Sequence, residues 1–220
     1  MPTTSAPAIA TPPTRGERAL LLAIVVAALL WSALAPRDRM TWFMEVVWVI
    51  VALPVIILNW RRFPLTRLLC WLLAAHALVL IHGGAYTYAQ TPLGFWLRDA
   101  ANALGLHVSR NPWDRVGHVM QGFVPAILAR ELLLRCTPLR RGGWLAYLVL
   151  AACLSFSALF ELIEWWSALA FGADADAFLA TQGDVWDTQW DMFLCLCGAS
   201  ASLLSWSRMH DRQLGLAATR

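Results

Sequence analysis

Three short stretches of this chain set acids, a histidine and arginines at spacings that could do chemistry. The first reads Asn111-Pro112-Trp113-Asp114-Arg115-Val116-Gly117-His118, with Gln121 three residues further on. On a helix Asp114, His118 and Gln121 share one face. The second, Glu161-Leu162-Ile163-Glu164, places two carboxylates at i and i+3. Two carboxylates on one turn repel each other unless a proton, an arginine or a metal ion lies between them. The third holds Asp184, Asp187 and Asp191 at i, i+3 and i+7, a single stripe if the segment is helical.

Part of this pattern has a plain structural reading. Asn111 and Pro112 suit a helix start, and the helix dipole favours an acid such as Asp114 in the first turn. Asp184 as N-cap and Asp187 as its first-turn companion account for two of the three aspartates but not for Asp191. One of the two glutamates could pair with Arg110 or Arg115. His82 and Glu45 belong to the same side of the chain, Glu45 being equally suited to pair with an arginine, while His76 reads as a core histidine. Asp174 and Asp176 read as solvated loop residues.

What remains is an excess of acid. Asp114, Glu161, Glu164, Asp184, Asp187 and Asp191 face Arg110, Arg115, His118 and His82 as balancing groups. Poorly hydrated carboxylates need a proton, an arginine or a cation beside them. Asp, Glu and His are suitable oxygen and nitrogen ligands for a divalent ion. The expected ligand set is His118, Glu161, Glu164, Asp184, Asp187 and Asp191. The expected acid–base or ligand residues are Asp114, His118, Glu161, Glu164, Asp187 and Asp191, supported by His82, Glu45, Arg115 and Gln121. Such a set could run metal-assisted or general acid–base hydrolysis or transfer. The chain contains no HExxH, EF-hand loop, P-loop or Rossmann fingerprint to name the reaction. Two other readings stay open. The cluster could be a proton or cation pathway, against which the apolar inner halves of the spans argue. It could also be structural, in a scaffold or partner-binding subunit.

The elements that must position these residues follow from hydropathy. The chain has 220 residues, of which 59% are hydrophobic and 14% charged, with 13 tryptophans and no lysine. A soluble globule of this size cannot hide that much apolar surface. Disordered, collagen-like and disulfide-scaffold classes are excluded. The composition predicts an all-α polytopic membrane protein of about six transmembrane helices over 19–207, between tails at 1–18 and 208–220. The spans are read at 19–35, 42–59, 66–84, 113–134, 144–170 and 188–207, with 92–106 as a short interfacial helix between spans three and four. The first run ends in Ala33-Leu34-Ala35, which resembles a signal-peptide cleavage site, but at 17 residues it reads better as a retained span.

With the N-terminus inside, the inner segments hold eleven arginines and the outer ones five, so both termini are expected in the cytoplasm. The acidic residues then fall at the outer ends of the later spans. None of the five cysteines lies in an outer loop, which argues against disulfides. Tryptophans near both boundaries, with Tyr86-Thr87-Tyr88, read as aromatic belts. Gly117 and Gly122 would let helices approach closely, and Arg130 and Glu131 would snorkel or pair with neighbours.

The stretches NPWDRVGHVMQGFVPAILARELLLR (111–135), SFSALFELIEWW (155–166), TQGDVWDTQWDMF (181–193) and IHGGAYTYAQTPLGFW (81–96) resemble the YjdF-like family of bacterial inner-membrane proteins. The resemblance implies a multi-pass inner-membrane protein of about six spans and supplies no reaction. The order of an Asp/His pair, a later Glu and an Asp-x-x-Asp stretch is also faintly similar to VanZ-like membrane proteins. The expected partners are the lipid bilayer and a lipid-linked or envelope substrate, with no nucleic acid.

Overall fold

A computed structural model describes residues 11–172 and 179–216. The first ten residues of the N-terminal tail, Asp174, Asp176 and Arg220 lie outside the described residues. Within them the chain forms seven α-helices and no strand: α1 (Arg15–Leu34), α2 (Arg39–Asn59), α3 (Arg67–Tyr86), α4 (Pro92–Ala103), α5 (Trp113–Cys136), α6 (Gly143–Phe171) and α7 (Asp187–Gln213). A 3-10 turn, Tyr88–Gln90, follows α3. Local chemistry sets several helix starts. Thr14 and Glu17 form a reciprocal capping box on α1, Asp38 caps α2 through Thr41 N, and Thr66 caps α3 through Leu69 N.

Four helices, α1, α2, α3 and α6, are long and apolar enough to cross a membrane. α5 and α7 are 24 and 27 residues long but carry more charge. The six long helices alternate in direction. The starts of α5 and α7 therefore lie at one end of the bundle, together with the ends of α3 and α6. We call this the acidic end. Large apolar side chains, Leu34, Leu58 and Leu204 among them, stand exposed on the outside of the bundle, the reverse of a water-soluble fold.

Two cores hold the bundle. Val25, Val46, Val49, Ala77 and Ile81 join α1, α2 and α3. Ala126, Val149, Cys153, Cys195 and Ala199 join α5, α6 and α7. α5 and α7 form the tightest pair because two glycines remove side chains from the crossing. A Cβ at Gly122 would overlap the Cys195 carbonyl, and one at Gly198 would overlap the Val119 carbonyl. Between apolar helices such close backbone approach supplies the van der Waals contact that holds them together. Gly122→Ala is therefore expected to lower stability by about 1–3 kcal/mol, the range for overpacking a tight core. Thermal unfolding in detergent checks it, and an unchanged midpoint would contradict the packing described.

The opposite end of the bundle is closed by a polar network that hydropathy does not reveal. Glu131, fully buried, accepts hydrogen bonds from Arg135 Nη1 (2.7 Å), Thr66 Oγ1 (2.7 Å) and Thr66 N (3.2 Å), and its Oε2 lies 3.1 Å from His210 Nε2. Arg130 Nη1 is 2.9 Å from His210 Nδ1, and its Nη2 pairs with Asp211. Both oxygens of Glu131 are thus engaged, and the network joins α3, α5 and α7. Arg130 and Glu131 pair inside the bundle rather than reaching outward.

Candidate functional site

At the acidic end α5, α6 and α7 bring together residues far apart in sequence. Asp114 and His118 stand one turn apart on α5, and Asp191 faces them from α7. His118 Nε2 lies 3.5 Å from Asp114 Oδ1 and 3.7 Å from Asp191 Oδ2. One donor atom from each of the three lies within 4.8 Å of the others, and all three residues are buried. The ring is oriented from its other side, where His118 Nδ1 is 3.1 Å from Gln121 Oε1. A histidine held this way through its second nitrogen has a fixed ring orientation, as metal-ligating histidines usually do.

Two arginines occupy the rim of this group. Arg110 donates to Asp187 Oδ1 (2.6 Å), Asp114 Oδ2 (3.1 Å) and the Ala180 carbonyl (3.2 Å). Arg115 donates to Asp184 Oδ2 (2.8 Å), Asp187 Oδ1 (2.9 Å) and Asp191 Oδ1 (2.9 Å). Asp114 and Asp191 each give one oxygen to an arginine and keep the other toward His118. Asp184 and Asp187 have no such second role. Asp184 Oδ2 and Asp187 Oδ1 go to the two guanidiniums, and Asp184 Oδ1 also accepts from Trp186 N (2.9 Å), near the helix start.

The loop before α7 is tied to the start of α5. Gln182 exchanges two hydrogen bonds with the Asn111 backbone, through Oε1 (2.9 Å) and Nε2 (3.0 Å). Ala180 and Gln182 hold φ of 49° and 51°, a left-handed backbone uncommon for these residue types. That geometry turns the Ala180 carbonyl to Arg110 and the Gln182 side chain to Asn111.

The glutamates lie on the other side of His118. Thr188 hydrogen-bonds Glu161, whose Oε1 is buried with no partner. His118, Asp114, Asp187 and Glu164 are among the neighbours of Glu161. Glu164, also buried, has Glu161, Asp114, Glu45 and Asp191 around it, and no arginine pairs with it among the described residues. Glu45, 3% exposed, approaches from α2 and accepts a hydrogen bond from the Tyr88 hydroxyl. Burial, reinforced by Glu45 and Asp114, pushes the Tyr88 phenol well above its ordinary range, so it stays a donor. Around His118, then, seven buried or half-buried acids face two arginines.

The ten residues singled out from sequence beside His118 do not all converge. Asp114, Asp191 and Gln121 contact His118, and Glu161, Glu164 and Glu45 flank it. Asp184, Asp187 and Arg115 form the ion-paired rim. His82 is not brought in: its ring packs 4.9 Å from Trp113 and 5.0 Å from Tyr86. Tyr88 is the member that sequence reasoning missed, having been read as belt. Thr87, at φ 60°, turns the chain after α3, and Gly83 and Gly117 leave room for the Tyr88 ring. Glycines spaced on two different helices were a signal, but only their meeting in space explains them. Arg110 also does more than its sequence position suggested, binding Asp114, Asp184, Asp187 and the Ala180 carbonyl.

Comparison with known proteins gives a consistent picture. The profile of the family described as Predicted membrane protein (DUF2238) matches residues 18–212. The chain is 47% identical over 186 residues to a protein of Escherichia coli (strain K12) described as Inner membrane protein YjdF, covering 84% of this chain and 87% of that one. No solved structure matches.

Proposed function

We propose, on the premise that the chain belongs to the DUF2238 family of predicted membrane proteins, that it is a multi-pass inner-membrane protein whose Asp114–His118–Asp191 group binds a divalent cation. The cation serves hydrolysis or group transfer on a lipid-linked or envelope substrate. The observation that carries this reading is the meeting of three buried donor atoms within 4.8 Å, inside a cluster whose acids outnumber its arginines. One nitrogen and two carboxylate oxygens suit zinc or manganese and leave a coordination position for water. Glu161, with its unpartnered Oε1, is the group to take a proton from that water.

The bundle supports six spans. At 1.5 Å per residue α5 and α7 reach about 36 and 40 Å, longer than the roughly 30 Å hydrocarbon core. Their charges are paired, buried or near their ends, and Phe193 and Leu204 give α7 an exposed apolar face. α4 lies at the acidic end and, at 12 residues, is too short to cross, as an interfacial helix would be. The relative's printed description and the arginine distribution support the inner membrane with the acidic end in the periplasm. A proton pathway is disfavoured by the apolar layer of Val124, Ala126 and Ile127, each 0% exposed, between the acidic end and the Glu131 network.

Metal analysis of protein purified without chelator tests the reading. About one equivalent of zinc or manganese is expected per chain, falling when Asp114 or His118 is replaced by Ala. A metal-free preparation that rebinds neither ion would sink it. Affinity should also fall as pH drops from about 8 to about 5, because a proton competes for each ligand atom. Isothermal titration at several pH values checks this, and a flat profile would speak against histidine and carboxylate ligands.

A further inference from the structure

An apolar cavity of about 650 Å³ begins at the candidate site and runs between α1, α2, α3, α5 and α6. Its volume falls within the ~300–1,000 Å³ of small-molecule sites. At one end it is lined by Glu45, Tyr88, His118 and Gln121, and at the other by Arg18, Trp60 and Arg61. Between them the wall is apolar, with Val49, Leu53, Ala77, Pro125 and Phe156, and is interrupted by His76 and the Cys70 thiol. The far end is closed by Arg18, whose guanidinium stacks 4.6 Å from the centre of the Trp60 ring.

From Glu45 to Trp60 along α2 the cavity spans about 22 Å at 1.5 Å per residue. One leaflet contributes only about half of a ~30 Å hydrocarbon core. A chain lying in this cavity thus passes the bilayer midplane. Leu22 and Ile57 line the cavity and keep 38% and 52% of their surface accessible, and α1 and α2 each pack mainly on α3 rather than on one another, so the wall opens sideways toward lipid between α1 and α2. The end beside His118 is polar, with Gln121 and Tyr88 offering hydrogen-bonding groups, while the far end is capped by Arg18 on Trp60. Water gains little from a cavity with so few polar partners along its length. Hydrocarbon matches its wall, its shape and its lateral opening.

We propose that this cavity holds the single long hydrocarbon chain of a lipid, with the lipid's polar head at Glu45, Tyr88, His118 and Gln121 and its chain end near Trp60. The inference rests on the proposed cation site only in making this lipid a substrate. The seating of the chain stands on the cavity alone.

The test uses the full chain in lipid nanodiscs and a long-chain primary alcohol with a diazirine at its chain terminus. After photolysis, mass spectrometry should place saturable label on residues 52–60, at the end of α2 and its C-cap, or on Leu73, and a short-chain version should label far less. Ala77→Phe, which fills the cavity, should reduce labelling about tenfold, the factor given by 1.4 kcal/mol of lost contact. Ala52→Phe, at the cavity edge, provides a second fill should the first fail to fold. Leu58→Phe, on an exposed position outside the cavity, should leave labelling unchanged. Absent or unsaturable label, equal label in both filled variants, or terminal label beside His118 would overturn the proposal. Metal content is read on the same preparations. Metal without cavity label defeats this inference and spares the cation site. Saturable label in wild-type protein that carries no metal and rebinds neither zinc nor manganese defeats the cation site and spares the chain-binding cavity.

Discussion

Asp191→Asn is expected to weaken divalent-cation binding on the order of 100-fold or more while the bundle stays folded. Loss of an outer-shell partner alone costs about 10–100-fold in metal affinity, and a direct ligand should cost at least that. Asp191 is 2% exposed, with Oδ1 held by Arg115 at 2.9 Å and Oδ2 turned to His118. An asparagine can still accept from Arg115 through its amide oxygen, so the rim contact is kept while the charge and the second carboxylate oxygen are lost. Asp184→Asn is the matched control. Asp184 binds Arg110 and Arg115, its side chain is 28% exposed, and it lies outside the three-residue group. It should cost less than about tenfold, within the ~0–1 kcal/mol usual for partly exposed ion pairs. Metal retained at full stoichiometry in Asp191→Asn would end the cation reading. Equal losses of stability in both variants, with metal unchanged, would favour a purely structural role for the cluster.

Glu131→Ala should destabilise the protein by about 3–5 kcal/mol, the usual consequence of removing one partner from a buried ion pair. The substitution leaves Arg135, 3% exposed at its side chain, and the Thr66 and His210 donors without their acceptor. Among the described residues no other acid contacts Arg135 Nη1, which also donates to the Pro64 carbonyl at 2.7 Å. Glu131→Gln keeps one acceptor oxygen and should fall between wild type and Ala. Unfolding in detergent measures both, and a change below about 1 kcal/mol, the typical worth of one neutral hydrogen bond, would show that the network is not what holds this end. Because the apolar layer separates the two ends, Glu131→Gln should leave metal content at the acidic end unaltered, and this separates structural from functional acid.

The contrast between the two networks is the main ground for assigning them different roles. At Glu131 both carboxylate oxygens are engaged by protein donors. Around His118, the Glu161 Oε1 is orphaned and Glu164 has no arginine partner among the described residues. A buried acid kept without a compensating partner is costly unless a proton or cation joins it.

The sequence by itself determined the all-helical class, the membrane environment and the faces on which Asp114, His118, Gln121, Glu161 and Glu164 lie. These are local properties: hydropathy over a 20-residue window and the 3.6-residue period suffice for them. Even Asp191 stood out, because no helix cap could explain it. Composition was less decisive for α5 and α7, where charges that the bundle buries or pairs lower the apparent hydropathy. Only the tertiary structure decided which acids are neutralised, since Arg115 meets Asp184, Asp187 and Asp191 across 69, 72 and 76 residues of chain. It also turned Tyr88 inward, completed the Glu131 network and left a cavity along α2. Each depends on helix register and on the close approach allowed by Gly83, Gly117, Gly122 and Gly198, and spacing along one helix carries no information about what faces it from another.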